Sequence, residues 1–268
     1  MKKLFFQLLT MLALFFATWF ALSQINWVNL LNVEKTASET EEKLGDLLWE
    51  MIEDSEEKVH SKTAREAVDR LLERICTENG IDREKIKVHL IRKDEINAFV
   101  LPNNHLVIYS GLIAESLNEA EFAGVLCHEI AHIEHNHVMK KLAKELGLSV
   151  LVSMTGGSGG EALREALRTL SSSAYDRSLE SEADKAAIGY LINARIDPAP
   201  LADFLYRMAQ ETSTVPKQLY WISTHPDSEE RAQEILKEIK GKTLKKEPVL
   251  SAESWESLKN EVNANPVF

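Results

Sequence analysis

The chain has too little cysteine for a disulfide framework. Its 268 residues hold only Cys76 and Cys127, and Cys127 falls inside a histidine-rich helical segment, so both read as buried thiols. Positive charge is also short: 31 Lys and Arg stand against 42 Asp and Glu, a formal net charge of -11. Without a basic stripe to neutralise phosphates, no nucleic-acid partner is expected. There is no internal repeat. Glycine is sparse at 11 residues, and four of them crowd into Thr155–Gly160 (TGGSGG), which reads as a flexible break and a candidate lid. What remains, 44% hydrophobic and 27% charged, is the make-up of a globular chain with one real core.

Long apolar runs are equally rare. One stands out, Leu4–Leu22, uncharged and 19 residues long, after Met1-Lys2-Lys3. As a helix it would span roughly 28 Å, close to the hydrocarbon thickness of a bilayer. The lysines should stay in the cytoplasm while the acidic chain beyond crosses. Residues 1–27 are therefore expected to be a membrane anchor of the inner membrane, with secretion after signal cleavage near Ala21-Leu22-Ser23 as the alternative. No lipidation cysteine follows the run, so no lipoprotein anchor is expected. Either way the body of the chain is exported to the periplasmic or extracytoplasmic side.

Residues 28–243 read as one domain and 244–268 as a mostly polar tail that carries Trp255. Apolar residues recur at helical spacing from Leu44 to Ile52 and from Ala64 to Ile75, and Asn79-Gly80 ends the second helix. Three β-rich stretches follow, Lys87–Lys93, Asn97–Pro102 and His105–Gly111, the last two joined as a hairpin. Beyond them almost everything is helical in pattern. Asn118 with Glu121 forms a capping box that opens one helix through CHEIAHIEHNH to about Leu146.

That helix carries the chemistry. His128 and His132 are four residues apart, about 40° round on one face, where two imidazoles can bind one ion. Glu129, about 100° from His128, can reach over the ion without binding it. This is HExxH: two metal ligands and a carboxylate base for water polarised by the metal. The surrounding positions Phe122, Val125, Leu126, Ile130 and Ile133 are apolar, and buried ionisable groups are costly unless paired or bound to metal. An extended HExxHxxGxxH motif would need Gly at 135 and His at 138; His135 and Val138 stand there, so that class is excluded. Two imidazoles and one carboxylate suit Zn2+, one per chain. The carboxylate should come from YDRSLESEADKAAIGYL. Glu180 and Asp184 share a face, so Glu180 can bind the ion while Asp184 takes the ring N–H of a ligand histidine; Glu182, about 200° from Glu180, is the weaker candidate. His135 and His137 read as surface or supporting residues.

HExxH at His128–His132, ExxAD at Glu180–Asp184, THPDSEERA at Thr224–Ala232, NAFVLP at Asn97–Pro102 and Tyr175-x-Arg177 resemble the membrane-associated gluzincin zinc metallopeptidases. That family includes HtpX, the CAAX prenyl proteases and BepA-like proteins, and the resemblance spans about residues 60 to 240. The residues read as an α+β fold, and the resemblance implies a mostly helical zincin-type metallopeptidase domain with a small β-sheet. The one N-terminal transmembrane helix expected before it is a departure from the several of HtpX and the CAAX enzymes. The resemblance implies Glu180 as third ligand, with Arg231 and Arg177 supporting the site. His225 would stabilise the oxyanion or occupy the open zinc position at rest. Asn97, Ala98 and Phe99 would lie on an edge strand that pairs with extended polypeptide. One departure is Asn103-Asn104 where the family often has two glycines, which bears on the hairpin and the cleft rim. The expected activity is zinc-dependent endopeptidase cleavage of unfolded or misassembled envelope proteins, with a latent, chaperone-like binding module as the alternative.

Overall fold

The computed structural model describes residues 11, 33–154, 160–210, 221, 223–242 and 244–263. The chain divides into two compact units, residues 1–41 and 42–268. In the first, Met11 and Val33–Glu41 are described and are helical. The expected anchor therefore lies, apart from Met11, outside the described residues, and so does nearly all of the glycine-rich stretch. Among the described residues no helix is long and apolar enough to cross a membrane.

The described chain is mostly helical with one small sheet. Helix α1 (Val33–Ser55) and α2 (Lys62–Asn79) come first. Ser61 caps α2 by accepting the Ala64 N–H at 3.1 Å, and Gly80, at φ 67°, ends it in the left-handed region. Strands β1 (Lys87–Ile91), β2 (Ala98–Leu101) and β3 (His105–Tyr109) form a sheet in the order β1-β3-β2. β1 runs parallel to β3, and β2 antiparallel to it with Ala98 opposite Ile108. In the β2–β3 turn Asn103 and Asn104 take φ of 60° and 58°. Asparagine tolerates that region with little penalty, so the pair supplies the backbone that two glycines would, and the hairpin closes. Helix α1 passes directly over this turn. A Cβ on Gly45 would lie 2.2 Å from the Pro102 carbonyl oxygen, so no larger residue fits there.

Helices α3 (Ser110–Glu115), α4 (Glu119–Glu134), α5 (His137–Leu146), α6 (Leu148–Ser153), α7 (Gly160–Ser172), α8 (Arg177–Asn193), α9 (Ala199–Gln210), α10 (Ser228–Ile239) and α11 (Ala252–Asn263) follow. α4 is the axis of the unit. Every residue from Glu121 to His132 is buried, and α8, α9, β2 and α2 all pack against it. Asn118 caps it by accepting the Glu121 N–H at 2.9 Å, while the Glu121 carboxylate turns back to the Leu117 N–H and pairs with Arg207.

Two expectations from the sequence change here. The helix opened by Asn118 does not run on to Leu146: Asn136 at φ 53° breaks it into α4 and α5. The polar tail is not featureless either, because α11 buries Trp255, Leu258 and Val262 against α2 and α3. Those residues lie at i, i+3 and i+7, a helical stripe too short to stand out among charged neighbours.

A histidine pair joins α1 to the sheet. Trp49 stacks on His89 at 3.5 Å, His89 Nε2 lies 3.0 Å from His105 Nδ1, and His105 Nε2 lies 3.1 Å from Asp46 Oδ1. Burial, then the neighbouring His105, lowers the pKa of His89 to about 3. The folded protein thus holds His89 neutral below the pH at which an unfolded histidine takes a proton. Its contribution is complete above about pH 6.5 and is lost as pH falls towards 3. Between pH 7 and pH 5 the loss should be about 1 kcal/mol, allowing for screening of a half-buried ring. Guanidinium unfolding at the two pH values should show a smaller acid loss for His89→Phe than for the wild type; equal losses would contradict the assignment.

Candidate metal centre

Two helices and one loop converge on a single point. α4 presents His128 and His132, α8 presents Glu180 and Asp184, and the turn before α10 presents His225. All five are buried. His128 Nε2 and His132 Nε2 lie 3.0 Å apart, and Glu180 oxygens lie 3.5 Å and 3.3 Å from them. His225 Nδ1 is 3.3 Å from His128 Nε2 and 3.1 Å from Glu180 Oε1. Ligands at about 2.0–2.1 Å from a tetrahedral ion are separated by about 3.3 Å, and these separations are close to that spacing.

The charges fit the same ion. Glu129, Glu180 and Asp184 are buried carboxylates, set against buried Arg231 and Lys141. A divalent cation at this point would favour the ionised form of all three carboxyls. Polar atoms without a protein partner gather at the same spot: both Glu129 oxygens, the Tyr175 hydroxyl and His225 Nε2. Orphaned buried groups are rare in native proteins and mark where an ion, water or substrate group belongs. Zinc is the metal that this arrangement of three imidazoles and a carboxylate fits, and the residues that could hold it are His128, His132, Glu180 and His225.

Behind the donors, Asp184 Oδ1 accepts the His128 Nδ1–H at 3.0 Å, leaving His128 Nε2 free to face the ion. Arg231 holds Asp184 with two bonds of 2.7 Å and reaches Glu180 Oε2 at 2.5 Å. Burial is the largest single effect and opposes the charged carboxylates, but Arg231 and the neighbouring histidines together more than offset it and keep both Glu180 and Asp184 well below the usual range. Glu129 has no such neighbour in contact, and burial pushes its carboxyl up to about 8. For His225 burial dominates and the pKa falls to about 4. Its ring is fixed by Trp221, stacked at 4.3 Å, and its Nε2 lies 3.3 Å from Glu129 Oε1, too poorly aligned for a hydrogen bond.

The other residues singled out from the sequence sit further out. Arg177 is exposed and binds Asp227, with its Nε 2.7 Å from Oδ2, so it holds the turn after His225 rather than the donors themselves. Asn97, Ala98 and Phe99 lie at or on β2, which is an edge strand, but all three are buried and β2 is covered by α4 and α7. Asn97 Nδ2 donates to the Ser171 carbonyl of α7 at 3.4 Å. Glu182 faces away from the donors and forms a second cluster with His135 and His137.

Sequence reasoning missed how closely His137 and Tyr175 approach the centre. On an unbroken helix His137 would sit about 140° round from His132 and could not meet it. The left-handed Asn136 turns the chain so that His137 Nδ1 comes within 2.9 Å of His132 Nδ1. The signal was Asn136 between two histidines, since asparagine is among the few residues that adopt this backbone. Tyr175 stacks on the other side of His132 at 4.2 Å, with the Lys141 ammonium 4.0 Å from its ring centre.

Comparison with known proteins agrees with this geometry. The family model described as "Peptidase family M48" matches residues 62–239. The chain is 30% identical over 171 residues to "Mitochondrial metalloendopeptidase OMA1" of Schizosaccharomyces pombe, covering 63% of this chain and 51% of that protein. It is 24% identical over 227 residues to "Beta-barrel assembly-enhancing protease" of Yersinia pestis, covering 79% and 46%. It is 29% identical over 164 residues to "Metalloprotease LoiP" of Escherichia coli, covering 59% and 64%. The chain thus spans about half the length of the first two of these relatives.

Proposed function

The chain belongs to peptidase family M48, and on that premise we propose that it is a zinc-dependent metalloendopeptidase of the cell envelope. His128, His132 and Glu180 hold the ion. When bound, zinc acts as a Lewis acid that polarises the scissile carbonyl and makes water a nucleophile near neutral pH. Glu129 accepts the proton as water adds to the carbonyl carbon, then returns it to the leaving amine nitrogen. The observation that carries this reading is the buried cluster of four donors with a Glu129 carboxylate beside it that has no hydrogen-bond partner.

The substrate is extended polypeptide, added along the outer edge of β2 with Asn97, Ala98 and Phe99 setting its register. Unfolded or misassembled envelope proteins are the substrate class, supported by the relative named for β-barrel assembly and by the uncharged Leu4–Leu22 run. In this reading residues 1–27 anchor the chain in the inner membrane, residues 28–243 form the catalytic unit on the extracytoplasmic side, and 244–268 complete it through α11.

A second reading rests on His225. Its Nδ1 takes the fourth donor place, which a catalytic zinc site keeps open, and β2 is covered by α7. The described conformation is then a latent one. His225 must leave the fourth place, and α7 the strand edge, before a polypeptide can enter.

Metal analysis of two variants tests the ligand set. Glu180→Ala should lose bound zinc, and Glu182→Ala should keep one ion per chain. Loss in the second variant alone would overturn the assignment.

A further inference from the structure

We propose that His137 is a positioning residue for the zinc ligand His132, and that it hands the ligand's ring proton bond on to Glu182. The inference rests on the reading of His132 as a ligand through Nε2. A neutral imidazole that binds metal through Nε2 carries its proton on Nδ1, and that N–H must donate to something. His137 Nδ1 lies 2.9 Å from His132 Nδ1, within hydrogen-bond distance, and both rings are buried. Two ring nitrogens at that distance can bond only if one donates and the other accepts, so His137 accepts at Nδ1. Its own proton then sits on Nε2, which lies 3.2 Å from Glu182 Oε2. Glu182 is in turn held from its other oxygen by His135 Nδ1 at 3.4 Å, with the His135 and His137 rings stacked at 5.4 Å.

The result is a directed chain from the metal to the surface: His132, His137, Glu182. It parallels the His128–Asp184–Arg231 arrangement on the other ligand, but uses an imidazole where His128 has a carboxylate. The carboxylate at the far end raises the basicity of His137 Nδ1, and through it that of the His132 ligand nitrogen. The break at Asn136 is what makes this possible, since it alone brings residue 137 beneath residue 132. The same geometry argues against a second metal ion among His135, His137 and Glu182. An ion there would need the His137 Nε2 lone pair, which moves the proton to Nδ1 and sets two N–H groups against each other once His132 binds zinc.

The test measures zinc affinity of the full chain by competition with a chelator, together with the visible spectrum of the cobalt-substituted protein. His137→Phe fills the space but cannot accept a hydrogen bond, and should weaken zinc about 10–100-fold and alter the cobalt bands. His137→Asn places a carbonyl oxygen near the position of Nδ1, and should restore most of the affinity and the wild-type spectrum. Glu182→Gln, a change on the exposed rim, should weaken zinc less than His137→Phe. Melting of the zinc-free variants reports whether each has folded. Unchanged affinity in His137→Phe would overturn the proposal, and so would equal weakening in the Phe and Asn variants, which would mean packing alone. Two zinc ions per wild-type chain, one of them lost in Glu182→Gln, would show that His137 Nε2 is a ligand instead. If the wild type binds no zinc, the ligand reading itself has failed, a result distinct from all of these.

Discussion

Replacing Glu129 with Gln is expected to leave one zinc per chain and to lower kcat/KM for an unfolded polypeptide by about 10²–10⁴-fold. Glutamine keeps the shape and volume of the side chain and removes its ability to take a proton. Zinc should stay because Glu129 is not among the donors that surround the ion position, and neither of its oxygens has a hydrogen-bond partner in the protein. Burial without a contacting cation pushes this carboxyl up to about 8, whereas Arg231 holds Glu180 and Asp184 low. Two kinds of carboxylate therefore share one site, and in the proposed mechanism their environments divide the work: the paired ones would fix the metal, and the unpaired one would exchange a proton.

Arg231→Met should cost the largest share of stability of any single change near the site, about 3–5 kcal/mol. The guanidinium is buried, holds Asp184 through two bonds of 2.7 Å, and reaches Glu180 as well. Methionine fills similar space but leaves two buried carboxylates without their counter-charge. Arg177→Ala is the matched control. Its side chain is 76% exposed in its pair with Asp227, so the change should cost no more than about 1 kcal/mol. Guanidinium unfolding of the two zinc-loaded variants should show midpoints far apart. Equal midpoints would mean that the Arg231 network does not carry the stability assigned to it.

How much of this was legible in the chain depends on whether a feature is local. His128, His132 and Glu129 share one helix, and Glu180 and Asp184 another, so spacing on a helical face was enough to foresee that each set converges. The capping of α4 by Asn118 and the end of α2 at Gly80 are local in the same way. His225 and Arg231 are not. They lie 93 or more residues beyond His132 and reach the site only through the packing of α10, so the residues alone say nothing and the family resemblance had to supply them. The run of His135-Asn136-His137 reads as continuous helix because a helical period hides a single left-handed residue. The cover on β2 is a tertiary fact, invisible in a strand that reads as an edge. The C-terminal helix was overlooked because three apolar residues, Trp255, Leu258 and Val262, carry its whole buried face.

The most direct measurement is cleavage of an unfolded protein by the full chain and its Glu129→Gln variant at equal, verified zinc content. The account predicts cleavage by the wild type and almost none by the variant. Cleavage that persists undiminished in the variant would contradict Glu129 as the base; none by either would favour the latent state closed by His225.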